Sequence, residues 1–191
     1  QSYGKRLSHI VQNYLLYVEL ENIRSNPQES QKLREICLNS SAEIIEYVAT
    51  RKAKQVDREI DLKLNLQNTS VQIEQNHLLK LLEEILDNAF KFSKPGTSIE
   101  VVSTIKKNYL VLSFCDRGIG LTDEQINQIG AYIQFNRQTY EQQGSGLGLA
   151  IAKRIVEIYG GHLAIESIPH RETVVKVYLP TTNNSFTTNK N

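Results

Sequence analysis

Three short stretches of this chain hold residues whose types and spacing could do chemistry. The first is Gly144-Ser145-Gly146-Leu147-Gly148-Leu149. Alternating glycines remove side chains where a backbone must come close to something. The segment behind them, Ala150 to Tyr159, has helical spacing: Leu149, Ile151, Ile155, Val156 and Ile158 are apolar, while Lys153, Arg154 and Glu157 are polar. A bare loop therefore feeds a helix N-terminus, where free N–H groups and the helix dipole attract a phosphate. The second stretch is Asp116-Arg117-Gly118-Ile119-Gly120, directly after the β-branched and aromatic run from Tyr109 to Cys115, which reads as a buried strand. A carboxylate at that strand end can accept a hydrogen bond from an amino group such as that of adenine. The third is Leu78 to Phe92, whose apolar positions have helical spacing. Glu84 and Asn88 are four apart and share one helix face, with Lys91 a turn beyond Asp87 and Asn88. An amide oxygen can ligate a hard cation, and an ammonium can meet phosphate oxygens. Each stretch alone also has a plain structural reading: a tight turn, a strand-exit turn, a solvated helix face.

The elements that must position these residues form an α+β pattern. Strands are expected at 60–66, 71–73, 98–106, 109–115, 162–168 and 173–179, and helices at 75–93, 122–129 and 147–159. Thr122-Asp123-Glu124-Gln125 reads as a capping box opening the middle helix. The expected architecture is a two-layer α/β sandwich, a mixed sheet with helices on one face. A polar, Gln-rich segment from Gly130 to Gln143 joins the last two helices and suits a lid.

Two more helices are expected at 2–24 and 28–53, with a break at Asn26-Pro27-Gln28-Glu29. Leu7, Ile10, Val11, Tyr14, Leu15, Val18 and Ile23 form an apolar stripe on the first. Leu33, Ile36, Cys37, Ala42, Ile45, Tyr47 and Val48 do so on the second. Two amphipathic helices with a short link predict a hairpin. One hairpin leaves an apolar face bare, so a second copy should cover it as a four-helix bundle.

Taken in order, Glu84-x-x-x-Asn88-Ala89-x-Lys91, Asp116-x-Gly118-x-Gly120 and Gly144-x-Gly146-x-Gly148 resemble the N, G1 and G2 boxes of the histidine kinase ATP-binding domain. Gyrase B, the heat-shock chaperone ATPases and the mismatch-repair ATPases share that wider family. The resemblance covers roughly residues 60–180. Gly-x-Gly-Leu-Gly-Leu-Ala-Ile followed by Tyr159-Gly160-Gly161 is similar to the sensor kinase branch in particular. The resemblance implies ATP and Mg²⁺ as cofactors. Asn88 would ligate Mg²⁺ and Lys91 would contact phosphate. Asp116 would hold the adenine amino group, with Gly118 and Gly120 letting the base approach. The Gly144, Ser145, Gly146, Leu147, Gly148 run would hinge the lid and cradle the phosphates. Phe135 and Arg137 sit where kinases carry a short Phe-rich box. Thr173 falls where the family often has a Gly-Thr pair, with Glu172 in place of the glycine. Many kinases carry Asn at position 84. The ATPase relatives use a Glu there to activate water, so Glu84 is a catalytic candidate.

The N-terminal hairpin resembles the dimerisation and phosphoacceptor module of these kinases. His9-Ile10-Val11-Gln12-Asn13-Tyr14-Leu15 is similar to the box His-x-x-x-Asn-x-Leu, with Ile10 where most families place an acid. His9 would attack the γ-phosphate as a nucleophile. The resemblance divides the chain into a hairpin at 1–54, an ATP-binding domain at 55–181 and a tail at 182–191.

Composition adds bounds. The formal net charge is +1, so no bulk field draws the chain to nucleic acid. The sequence has no apolar run of the ~18 residues that would span a membrane, and no signal peptide. Cys37 and Cys115 lack metal-ligand spacing and fit reduced cytoplasmic thiols. The chain contains no Met, which fits a piece of a longer protein with an input domain before Gln1. The expected function is that of a two-component histidine kinase: ATP-dependent autophosphorylation on His9 in a homodimer, then transfer to a response regulator receiver domain. Two alternatives stay open, an ATPase using Glu84 as general base and a non-catalytic nucleotide-sensing dimer module.

Overall fold

The computed structural model describes residues 2–129 and 147–182. Five strands form one mixed sheet in the order β1-β2-β3-β5-β4: β1 (Leu62–Asn65), β2 (Ile99–Lys106), β3 (Tyr109–Asp116), β4 (His162–Ile168) and β5 (Glu172–Pro180). The β1–β2 pair is parallel and the other pairs are antiparallel. Alternation along the strands decides which side is covered. Ile99 and Val101, then Leu110, Leu112 and Phe114, then Val175, Val177 and Leu179 are buried together.

The helices are α1 (Ser2–Ser25), α2 (Pro27–Arg34), α3 (Ser41–Gln55), α4 (Gln75–Phe92), α5 (Asp123–Gln128) and α6 (Leu147–Ile158). In α4, Leu78, Leu81, Leu82, Ile85, Leu86, Ala89 and Phe90 bury one face, as their spacing predicts. Each large side chain so buried contributes roughly 1.5–3 kcal/mol. Helix α6 buries Ile151, Ile155, Val156 and Ile158 against α4, β4 and β5. Helix α5 opens with the expected capping box between Thr122 and Gln125. The mixed sheet and the helices over it match the expected sandwich, except that the strand expected at 71–73 is reduced to isolated bridges from Val71 to Leu38 and Thr181.

The N-terminal region differs from expectation in one respect. The second helix, expected over 28–53, is two helices separated by residues 35–40. Leu38 exchanges backbone hydrogen bonds with Val71, both at 2.9 Å, and Val71 also bridges Thr181. That pairing pulls the chain out of the helix, and Ser40 turns it in the left-handed region (φ 61°). Helix α3 then starts with the Ala42 N–H donating to Asn68 Oδ1. Its buried residues Ile45, Val48, Ala49 and Ala53 share the core of the sandwich. Lys52 pairs with Asp87 at 2.8 Å and Arg51 with Glu83, tying α3 to α4. Helix α3 therefore shares the core of the sandwich, and residues 54 and 55 lie at its C-terminal end. Only α2, capped by Asn26, follows α1 as its hairpin neighbour.

Helix α1 lies along α6. Asn13, Tyr17 and Leu20 are buried there, with Leu16 and Ile23 partly so. The stripe read from the sequence is on the other side: Leu7, Val11, Tyr14, Leu15 and Val18 are all exposed.

Candidate functional site

The end of β3 builds a buried polar point of the site. Asp116 is 8% exposed, and its Oδ1 has no hydrogen-bond partner. Burial pushes its carboxyl up to about 6 from an ordinary 3.8, while the Gly118 backbone N–H pulls the other way. Thr173 stands directly opposite Asp116 on the β3–β5 ladder. Its hydroxyl lies 3.1 Å from Ser167 Oγ, which accepts the Leu121 N–H at 2.8 Å. Ser167 thus ties the loop after β3 to strands β4 and β5; the sequence offered no signal for it.

That loop runs against other backbone. Gly120 has φ +66°, and a Cβ there would overlap the Ile168 carbonyl. A Cβ on Gly118 would overlap the Phe92 carbonyl at the end of α4. The Ile119 N–H donates to that same Phe92 oxygen at 3.1 Å, and the Ile119 carbonyl accepts from the His170 N–H at 2.7 Å. The end of α4 and the Asp116 loop are therefore one backbone-bonded unit.

Helix α4 brings Glu84, Asn88 and Lys91 to the neighbouring wall. Glu84 is 7% exposed and pairs with Lys80 at 2.6 Å. Asn88 is half-buried, and Lys91 is exposed with its ammonium 5.0 Å from the Phe92 ring centre. The start of α6 closes on the same wall. A Cβ on Gly148 would lie 2.5 Å from Glu84 Oε2 and 3.5 Å from Asn88 Nδ2. Leu147 is buried. Glu84, Asn88 and Gly148 are thus brought together, and β3, the loop after it and β5 add Asp116, Gly118, Gly120 and Thr173 at the end of α4. Phe135, Arg137, Gly144, Ser145 and Gly146 lie outside the described residues.

His9 is exposed on α1. Its Nε2 lies 3.3 Å from Asn13 Nδ2, which also donates to Glu84 Oε1 at 3.3 Å, while Asn13 Oδ1 accepts from Lys80 at 2.8 Å. Asn13, 2% exposed, is thus the bridge between α1 and the α4 wall. Lower on α1, the Tyr17 hydroxyl donates to Glu21 at 2.5 Å and accepts from Arg154 of α6 at 3.0 Å. Lys80, Tyr17, Glu21 and Arg154 were not singled out by the sequence.

The residues fit a purine nucleotide. A buried acceptor without a donor suits the adenine amino group, and glycine backbone beside it admits a flat base. Among the described residues no cluster of three or more His, Cys, Asp or Glu could hold a metal. A cation here would be held by Asn88 together with phosphate oxygens. Among the described residues no helix is long and apolar enough to cross a membrane.

Comparison with known proteins gives the family and the fold. Residues 73–183 match the model of the family described as histidine kinase-, DNA gyrase B- and HSP90-like ATPase. The signal transduction histidine-protein kinase ArlS of Staphylococcus haemolyticus is 28% identical over 144 residues, covering 73% of this chain and 31% of that protein. The circadian input-output histidine kinase CikA of Synechocystis is 24% identical over 187 residues, covering 96% of this chain and 24% of that protein. The chain spans about a quarter to a third of the length of these curated relatives. Among solved structures, the Acinetobacter baumannii histidine kinase AdeS matches with a TM-score of 0.68 at 19% identity, over 94% of this chain and 81% of that one. The mycobacterial sensor histidine kinase MprB matches with a TM-score of 0.64 at 24% identity, over 76% and 97%. These two likenesses concern the fold. The matched residues contain Glu84, Asn88, Lys91, Asp116, Gly118, Gly120, Gly148 and Thr173, and the chain belongs to the histidine kinase-, DNA gyrase B- and HSP90-like ATPase family.

Proposed function

We propose that this chain is the ATP-binding catalytic part of a two-component sensor histidine kinase. ATP binding goes with the family; Mg²⁺, the acceptor histidine and the partners are additions made by this reading. One observation carries it: Asp116 presents a buried, unpartnered carboxylate oxygen at the end of the helix that bears Asn88 and Lys91.

In this reading Asp116 accepts from the adenine amino group. Asn88 holds Mg²⁺ through its amide oxygen and Lys91 meets phosphate oxygens. Bound Mg-ATP supplies a γ-phosphoryl group activated for transfer. Lys80 and Asn13 keep the Glu84 carboxylate fixed on the α4 wall. His9 is the acceptor, offering a ring nitrogen as nucleophile. The placement of the histidines supports it. His77 is packed against the Tyr159 hydroxyl at 2.6 Å, and His162 and His170, though exposed, lie at the start of β4 and just beyond its end; His9 is exposed and joined through Asn13 to Glu84. The exposed apolar side of α1 gives a second copy a face to cover. A response regulator aspartate then receives the phosphoryl group.

The test is incubation with Mg²⁺ and γ-labelled ATP, following protein-bound and free phosphate for the parent and His9→Gln. Acid-labile label on the parent and none on the variant is the expected result. Label retained by the variant moves the acceptor to another residue. Free phosphate without protein label favours hydrolysis through Glu84, and bound nucleotide with neither favours a non-catalytic module.

A further inference from the structure

Arg58 lies outside every motif read from the sequence, yet it is only 5% exposed. A buried guanidinium must have its donors met, and here most are met by the C-terminus of α4 and the segment that follows it. Its Nη1 donates to the Phe90 carbonyl at 3.0 Å and to Ser93, at both Oγ (3.0 Å) and the carbonyl (3.2 Å). Its Nη2 donates to the carbonyls of Lys94 (2.8 Å) and Thr97 (3.2 Å). Helix C-terminal carbonyls lack intrahelical donors and carry the negative end of the dipole, so a cation there satisfies both needs. Asp61 neutralises the charge through Nε at 2.6 Å and accepts the Gly96 N–H with the same oxygen at 3.0 Å.

What Arg58 holds is the segment that carries the Asp116 loop. Phe92 lies between the clamped Phe90 and Ser93, and its carbonyl accepts the Ile119 N–H. Ser93 itself bridges Gly118. Gly118 has no room for a Cβ against Phe92, so the two backbones have a single fitted approach.

We infer that Arg58 is a positioning residue for base recognition, fixing the distance between the end of α4 and the Asp116 loop through Phe92 and Ser93. The inference rests on the reading of Asp116 as the adenine acceptor. It deepens that reading by assigning selectivity for adenine over guanine to a residue that touches no nucleotide. Guanine places a carbonyl oxygen where adenine places its amino group, so a carboxylate held in place rejects it. A loop free to shift loses that rejection along with affinity.

Arg58→Met and Arg58→Lys test it, with Ser93→Ala as a milder variant that leaves the guanidinium in place. ADP and GDP affinities are measured by calorimetry in Mg²⁺, and amide exchange is followed at Ile119. A lysine keeps the charge beside Asp61 but cannot span the carbonyls of Phe90, Ser93, Lys94 and Thr97. The expected result for Arg58→Lys is ADP binding weakened roughly tenfold or more, a smaller ADP-to-GDP ratio, and faster exchange at Ile119 than at core amides. Ser93→Ala is expected to shift all three in the same direction by less, and it carries the test if both Arg58 variants fail to fold. A folded variant with parent-like ADP affinity overturns the inference. So does a loss shared equally by ADP and GDP with uniformly faster exchange, which is the mark of a stability role alone. A parent that binds no ADP refutes the adenine reading instead, whatever Arg58 does to Ile119.

Discussion

Gly148, at the start of α6, abuts the Glu84 carboxylate: a Cβ there would come within 2.5 Å of Oε2. Glu84 is not free to swing aside, because Lys80 and Asn13 hold its other oxygen. The start of α6 and the α4 wall therefore meet at one contact that no side chain can enter.

This contact sets the sign of a double substitution. Alanine in a helix is ordinarily favoured over glycine by about 1 kcal/mol. Gly148→Ala is nevertheless expected to destabilise the parent, and to stabilise a chain already carrying Glu84→Ala. A coupling of about 1–2 kcal/mol between the two changes is predicted from urea unfolding. Additive effects would show that the close approach is absent.

Removing the lysine should isolate Glu84. Lys80→Met leaves a buried carboxylate with Asn13 as its remaining partner. Lys80 keeps partial exposure, so the expected cost is ~1–3 kcal/mol, below that of a fully buried pair. Adding Glu84→Gln should recover most of it. A Lys80→Met protein as stable as the parent would remove the pair from this account.

Asp116 gives a pH signature. Its carboxyl titrates at about 6 in the folded protein against an ordinary 3.8, so the native state holds the proton more tightly than the unfolded chain. The ionised group therefore costs stability above pH 6, and the cost fades as the pH falls through 6 towards 4. The difference corresponds to about 3 kcal/mol. Asp116→Asn should stabilise the nucleotide-free protein by up to ~3 kcal/mol at pH 8 and by about half that at pH 5. Equal stability of variant and parent at both pH values would contradict the burial argument.

The exposed stripe of α1 makes a prediction about assembly. Leu15 is 61% exposed, so Leu15→Glu should change the stability of a single copy by no more than about 0.5 kcal/mol. In a dimer that covers this face the same change buries a charge. Sedimentation should show the parent as a dimer and the variant shifted to monomer. A monomeric parent would leave the stripe without its second copy.

How much could be read beforehand follows from what fixes each element. Helix α4 and strand β3 declare themselves through local periodicity, and the Asp116 and Asn88 positions come with them. The break at 35–40 was not legible, because Leu38 leaves the helix to pair with Val71, a choice made by distant chain. The side of α1 that packs on α6 was not legible for a related reason. The helix is apolar around much of its circumference, and contact with α6 selected the side bearing Asn13, Tyr17 and Leu20. Arg58 and Asp61 carried no signal in the sequence; only the fold brings the carbonyls at and just beyond the end of α4 to Arg58.

The most direct test of the central claim is calorimetric titration of the parent and Asp116→Asn with ADP in Mg²⁺, alongside unfolding curves for both. The account predicts that the parent binds ADP, and that the variant stays folded while binding roughly 10- to 100-fold more weakly, the worth of one charge-assisted hydrogen bond. A folded variant that binds ADP as tightly as the parent would contradict it.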